Sequence, residues 1–497
     1  MNRKKIIFAV AIVATSLQSL AQNYDVDAFR FSGGNNSATA RFNALGGPQT
    51  SIGGDLTSLY GNPAGLGMFT RSEFSFTPSF NIKNNETSFL GTNTTQSNSN
   101  ANLNNMGIVF HSPLAKSGNL TSGLLSFNFG VGYQKTNLFK NDLNFGGGIA
   151  FENGLGDYFS ERANSEGNVL GDIVSDVTYG SYLGYLIEDN GPTASSYNPL
   201  TAIDADQNLR SITRGNQSNV DFSMGLNISN TLYLGATLGL ASINYRSNNI
   251  LNEQGLTSVK NFDTQITTVY DYNANFSNNF DTQGSGANFK LGAILKPVYE
   301  FRIGLSLETP TWYTMSDNFS QNLTLRDIKN IEVGGRDDFN YDYRLSTPLK
   351  LNGGISYFIG KSGFLTANVN FVDYTTIRFR SNNSGVDLIT NMALSNQYKE
   401  ALNYSFGAEF KLVDNFMIRG GYSSMGNPYR NIDFKSTNYS GGLGYRFGSY
   451  YIDGAVILNQ NNLQTQFISY GLNNRTEPVA NRKTETTNVS ITFGARF

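Results

Sequence analysis

Between positions 220 and 240 the chain puts an apolar side chain at every second residue. Val220, Phe222, Met224, Leu226 and Ile228 are followed, across a short break, by Leu232, Leu234, Ala236, Leu238 and Leu240. The positions between them are small or polar, for example Ser223, Gly225, Gly235, Thr237 and Gly239. Neighbouring residues on a strand point to opposite faces, so each segment has one greasy face and one small or polar face. The pattern recurs at Phe74, Phe76, Pro78 and Phe80, and at Leu125, Phe127, Phe129, Val131 and Tyr133. A soluble sandwich also alternates. Its outer face, however, would be ~25–35% charged, whereas this chain has only 15% charged residues and the polar faces here are Gly, Ser, Thr and Asn. The fold class expected is all-β: a transmembrane antiparallel β-barrel, whose strands need about 9–11 residues each to cross lipid.

The connections sharpen this expectation. Tight ones fall at 113–119, 229–231, 297–300, 360–363, 413–415 and 448–450. Long, polar, Asn-rich ones fall at 84–104, 138–216, 248–285, 311–339, 381–399, 426–435 and 461–483. Short and long alternate, as periplasmic turns and extracellular loops do in outer-membrane barrels. Six and seven connections imply 14 strands. The first would rise near Glu73, and the last would descend through Val489, Ile491, Phe493 and Ala495 to Phe497. Within 138–216, the stretch 169–188 carries Ile173, Val177, Leu183 and Leu186 at helical spacing, so a partly helical extracellular cap is expected there.

The start of the chain sets the compartment. Arg3, Lys4 and Lys5 precede an apolar run over 6–14, and Ser19 and Ala21 are small residues at cleavage-site spacing. This is the three-part pattern of a secretory signal peptide, 1–21. The run is about half the ~20 residues a membrane-spanning helix needs. Residues 22–72 are rich in Gly, Ser, Asn and Ala. About fifty such residues cannot build a core alone. They are expected to fold against the barrel lumen as an N-terminal plug, with the barrel proper over 73–497. The localisation expected is the outer membrane of a Gram-negative bacterium, with outer-membrane lipid as partner.

Composition narrows the functions. Lys+Arg number 36 against 38 Asp+Glu, which leaves no basic footprint for nucleic acid. There is no Cys and one His, so a thiolate or multi-His metal site is excluded within one chain, and no cofactor is expected. His111 neighbours Ser112, but adjacent strand residues face opposite ways and make a poor dyad. A structural role is expected for His111, no catalytic residue is assigned, and no enzymatic activity is expected. Gly130 and Gly132 lie on the expected third strand. Glycine there marks either a bend in the wall or close packing from inside, and both readings stand.

Asn62, Pro63, Ala64 and Gly65 follow Ala44-Leu45-Gly46-Gly47, Asp55 and Tyr60, about ten residues before the first strand. Together with Gly284-Ser285-Gly286-Ala287-Asn288-Phe289-Lys290-Leu291-Gly292, Lys296-Pro297, Arg302-Ile303-Gly304-Leu305-Ser306 and the terminal aromatic Phe497, this resembles the FadL family of outer-membrane transporters for long-chain fatty acids and other hydrophobic compounds. The resemblance implies a fourteen-stranded barrel with an N-terminal hatch. It also implies passive uptake in which extracellular loops capture a hydrophobic ligand, the plug moves, and the ligand leaves sideways through a kinked third strand. The implied plug or gate residues are Asn62, Pro63, Ala64 and Gly65; Gly130 and Gly132 are candidates for the kink. The implied partner is a hydrophobic small molecule such as a long-chain fatty acid, handled by a monomer. The alternatives are a surface adhesin, a barrel that supports assembly of a partner, and haem uptake through a Tyr ligand.

Overall fold

The protein was analysed as a computed structural model. It describes residues 24–34, 38–47, 49–114, 122–149, 154–157, 159–160, 187–189, 197–199, 205–260, 267–327, 332–466 and 479–497. The signal-peptide expectation for 1–21, and the helical expectation for 169–186, lie outside these residues.

The alternating segments form strands that close on themselves. In chain order they are β1 (Glu73–Phe89), β2 (Thr92–Pro113), β3 (Leu124–Leu138, continued by Asn141–Ile149), β4 (Ala205–Ile228), β5 (Leu232–Lys260), β6 (Thr267–Leu295), β7 (Phe301–Glu308 and Trp312–Asp327), β8 (Glu332–Ser346 and Lys350–Ile359), β9 (Gly363–Asp373 and Arg378–Arg380), β10 (Glu400–Val413), β11 (Phe416–Met425), β12 (Lys435–Phe447), β13 (Tyr450–Gln466) and β14 (Val479–Arg496). Every strand runs antiparallel to the next, and β14 returns to β1 through pairs such as Phe76↔Phe493 and Phe80↔Val489. Closure leaves no free sheet edge, which a wall in lipid requires. The breaks in β7 and β8 lie at Pro310 and Pro348, which have no N–H for the ladder. Thr311 and Thr347 span them, with Thr347 N donating to Thr311 O at 3.1 Å.

Outward positions carry the apolar set. Phe74, Phe80, Phe222, Leu238, Phe289, Leu305 and Ile491 are all exposed, while their inward neighbours Ser75, Ser79, Ser223, Thr237, Asn288, Ser306 and Ser490 are buried. Exposed grease on this scale is stable only against lipid. Helical elements among the described residues include α1 (Tyr24–Ser32), α2 (Ala40–Asn43) and α3 (Ser384–Gln397), the last capped by the Asn383 side chain.

The tight turns obey local chemistry. Ser229 and Asn230 both take positive φ (57° each), the geometry that matches the twist of a two-residue hairpin. The long polar connections differ from expectation. Residues 84–104 are not a loop: they continue β1 and β2 to a two-residue turn at Leu90 and Gly91. Most of 248–285 and 311–339 is likewise strand. β5 and β6 have 29 residues each, about 95 Å along the strand at ~3.3 Å per residue, far beyond what lipid requires. Composition misled here because Asn, Ser and Thr mark loops only on average; the paired backbone accepts them here, while inward positions such as Phe89, Leu251, Phe276 and Leu323 are buried together. In 138–216 the strands run on to Ile149 and resume at Ala205, and Ile187–Asp189 pairs with Tyr197–Pro199.

Candidate functional site

Asn62 opens a short 3-10 helix, Pro63–Met68. Its side-chain oxygen accepts from Ala64 N at 3.1 Å, and Pro63 sits at the first helical position, where no N–H is needed. The Asn62 amide donates to Thr50 O at 2.6 Å. One turn earlier, Asp55 caps the 3-10 helix Leu56–Leu59, accepting from Thr57 N and from Thr39 Oγ1, each at 2.9 Å. These caps let a small, polar stretch hold a shape without a core of its own.

What holds the stretch in place is the inward face of the wall. Ala40 N donates to Thr492 Oγ1 (2.7 Å) on β14, Thr50 N to Asn368 Oδ1 (2.8 Å) on β9, and Lys290 Nζ on β6 to Tyr60 O (3.0 Å). Ser223 and Thr237, on β4 and β5, both donate to Leu59 O. Arg41 makes a two-bond ion pair with Glu409 on β10, at 2.7 and 3.0 Å. Arg419 on β11 then bridges Glu409 and Asp453, both at 2.7 Å. The wall is shaved to receive the turn: a Cβ at Gly235 would overlap the Pro63 backbone, and one at Gly292 the Asn62 side chain. Asn62, Pro63, Ala64 and Gly65 are therefore brought together, all buried, against β5 and β6.

The two glycines on β3 are elsewhere. Gly130 pairs with Val109 and Ser223, and Gly132 with Gly107 and Asp221, in unbroken ladders on both sides. A Cβ on either would meet a Leu59 methyl at 2.7 Å. Their small size admits Leu59. The register of β3 slips at Lys135/Asn137. His111 Nδ1 lies 2.7 Å from Asn128 Oδ1, and Asn128 Nδ2 donates to Phe69 O at 3.2 Å.

Toward the extracellular side of this floor is an aromatic chamber, which the sequence reading missed. Tyr245, Tyr313, Tyr343, Tyr374, Phe379 and Tyr398 line it, and α1 occupies it. Phe29 stacks on Tyr398, ring centroids 4.4 Å apart and 7° from parallel. Phe31 stands edge-on to Phe139 and Tyr245, both at 5.8 Å. Tyr24 fits among Tyr341, Tyr343 and Phe379 at 5.0–5.4 Å. Such pairs add about 0.5–1.5 kcal/mol each beyond burial. The signal was present: three aromatic residues within eight positions of an otherwise small and polar region. α1 also buries Asp25 (1% exposed), and burial pushes its carboxyl up to about 6.

Beside the chamber the wall is unzipped. β2 and β3 pair only from Pro113↔Ser126 to Asn105↔Gln134. Beyond Gln134, β3 keeps its ladder to β4, but Thr92–Asn104 of β2 has no strand partner on that side among the described residues. Single side-chain bonds cross this seam, among them Lys135 Nζ to Asn102 Oδ1 (3.4 Å), Lys140 Nζ to Ser99 O (2.9 Å) and Asn98 Nδ2 to Asp142 O (3.0 Å). Gln134 registers through Asn219 with Ala241, a chamber residue. Seam and chamber thus share one level, next to the upper edge of the apolar belt at Met106 and Leu240.

No family model and no curated protein matches the chain in sequence. Solved structures do match. The P. putida toluene transporter TodX is 14% identical over 93% of this chain and 98% of that one, with TM-score 0.50. A Pseudomonas aeruginosa FadL homologue is 12% identical over 92% and 98%, with TM-score 0.51. A deltaS2 mutant of the TodX monoaromatic hydrocarbon channel is 13% identical over 93% of this chain and 99% of that one, with TM-score 0.52. The chain has the FadL-type barrel fold. At these identities the likeness is one of architecture, and in this FadL-type barrel the floor, chamber and seam are built from the side chains named above.

Proposed function

We propose that the protein is a passive outer-membrane channel for hydrophobic small molecules, such as long-chain fatty acids. The observation that supports this most is the aromatic chamber, set inside a closed wall and level with the seam. An apolar ligand gains ~0.8 kcal/mol per methylene on leaving water, so the chamber can capture a long chain with no energy source. In this reading, residues 22–72 form the plug, with Asn62, Pro63, Ala64 and Gly65 as its fixed turn, and α1 must yield the chamber to the ligand. Release runs sideways through the β2–β3 seam, above Gly132, because fewer bonds must break there than between any two fully laddered strands.

The seam offers a direct test. The chain has no native Cys, so a bis-maleimide can join Ser99→Cys to Lys140→Cys specifically. Cross-linking is expected to abolish transfer of radiolabelled dodecanoate and toluene into the membrane of proteoliposomes while leaving their binding intact. Transfer that is unaffected by the cross-link overturns the lateral route; transfer that is no faster than in protein-free vesicles for either compound overturns the channel.

A further inference from the structure

On the outside of the wall, three arginines crowd together where β8 meets the last segment of β9. Arg344 on β8 stands directly opposite Arg380 on β9, and Ser346 opposite Arg378. All three arginines are exposed, because the residues between them, Leu345 and Phe379, turn into the chamber. Like charges directly opposite each other on neighbouring strands destabilise a sheet, and Arg378 is on the diagonal, about 7–8 Å away in such a pair. No carboxylate relieves them. Among the described residues none of the three makes an ion pair, and Arg378 donates only to two backbone oxygens, Thr375 O (2.7 Å) and Ile377 O (2.8 Å). The nearby acids are exposed or engaged elsewhere. Asp342, two residues along the same face of β8, is exposed. Asp373 caps the turn Tyr374–Thr376, and Asp387 accepts from Ser381. By contrast Arg214 and Arg246, also outward, are paired with Asp142 and Asp281.

The height of the cluster says what it faces. Below it the outward side chains of β8 are apolar from Leu349 through Leu351, Ile355 and Tyr357 to Ile359, and all are exposed. That run covers about 33 Å along the strand at ~3.3 Å per residue. At the tilt of a barrel strand, ~35–45°, it fills the ~25 Å of an outward apolar band. Arg344 is the second outward position beyond its upper end. On β9 the band ends at Phe371, also exposed. Trp312 on β7, in register with Ser346, is exposed beside the cluster, where interfacial aromatic residues sit. The arginines thus stand at the head groups of the leaflet on the extracellular side. In an outer membrane that leaflet is glycolipid, several acyl chains under a sugar head that carries phosphates.

We propose that Arg344, Arg378 and Arg380 hold the phosphorylated head of one lipopolysaccharide molecule against the outside of the wall, with its acyl chains lying over Leu349, Leu351 and Phe371. A guanidinium matches phosphate oxygens with paired, charge-assisted bonds. A phosphate set between Arg344 and Arg380 turns their repulsion into a shared attraction. The bound molecule is membrane lipid and not cargo, since the site faces away from the chamber. It stands or falls independently of the channel reading.

The test measures binding of bis-phosphorylated lipid A to the full chain, freed of lipopolysaccharide and held in dodecyl maltoside micelles, by microscale thermophoresis. R344Q/R378Q/R380Q is expected to bind at least about tenfold more weakly than the wild type, the effect of losing one or more charge-assisted contacts. R246Q, an outward arginine outside the cluster, should bind like the wild type. Dephosphorylated lipid A should bind the wild type and the triple variant alike, as weakly as the triple variant binds the intact lipid. Gel-mobility melting gives a second readout. Without lipid the triple variant should melt no lower than the wild type, because a repulsion has been removed, and lipid A should raise the melting temperature of the wild type alone. Equal affinity of wild type and triple variant, or tight binding of the dephosphorylated lipid, overturns the site. So does a triple variant that melts lower without lipid, since the arginines would then brace the strands. Equal binding of phosphatidylglycerol, or displacement of lipid A by inorganic phosphate alone, would make this a general anion site and overturn its assignment to the glycolipid.

Discussion

Arg41, on the four-residue helix α2, holds the Glu409 carboxylate of β10 through two bonds, and Arg419 grips the same carboxylate from the next strand. The N-terminal segment is thus pinned to the wall by an ion pair whose partners are almost out of water (14% and 13% side-chain exposure). Breaking one member of such a pair typically costs 3–5 kcal/mol, since a buried charge is left unpaired. Glu409→Gln should lower the temperature at which the folded band disappears on a semi-native gel. It should also raise the leak of small hydrophobic dyes through proteoliposomes, as the segment loosens. Unchanged melting and leak together would deny the pin its role.

The glycine contacts at the floor predict a position-specific effect. Gly235→Ala and Gly292→Ala each put a methyl group where Pro63 or Asn62 already stands, and overpacking of this kind costs about 1–3 kcal/mol. Protease sites in 50–67 should become accessible from the periplasmic side. Gly454→Ala, whose methyl meets nothing within 4 Å, serves as control and should leave digestion unchanged.

Docking of α1 should depend on pH through Asp25. Its carboxyl has an ordinary value of 3.8 and is pushed up to about 6 by burial. The docked helix therefore binds the proton more tightly than the undocked one. Docking is strongest below pH 3.8, weakens as pH rises toward 6, and stays weakened above it. A shift of this size is worth on the order of 2–3 kcal/mol. A spin label on Val26→Cys, an exposed position of α1, should gain a mobile component between pH 4 and 7. Asp25→Asn should keep the label immobile across that range.

Phe31 is 1% exposed between Phe139 and Tyr245. If α1 competes with ligand, Phe31→Ala should release the chamber and lower the apparent Kd for dodecanoate, because a larger fraction of molecules is then binding-competent. A weaker apparent affinity would mean that Phe31 helps to build the site instead.

The wall was legible from alternation alone, because lipid outside and small residues inside impose a period of two on every strand. Glu73 as the first strand residue and fourteen as the strand count followed from the spacing of turns. The heights of the strands were not legible: 84–104 is mostly Asn, Ser and Thr on both faces, so apolar alternation fades although the backbone stays paired and Asn85, Thr87 and Phe89 are buried on the inward side. The seam was also hidden, since the missing partner of Thr92–Asn104 is a matter of pairing between distant residues and not of either segment's composition. Gly130 and Gly132 were noticed for their residue type, but what they touch, Leu59, lies seventy residues away in sequence.

The paired towers of β5 and β6 carry one more implication. Each rung above the lipid is secured by main-chain bonds that are indifferent to side-chain identity. Substitutions on the outward face of these rungs leave the main-chain ladder in place, so that surface can drift in sequence while the inner face keeps its shape.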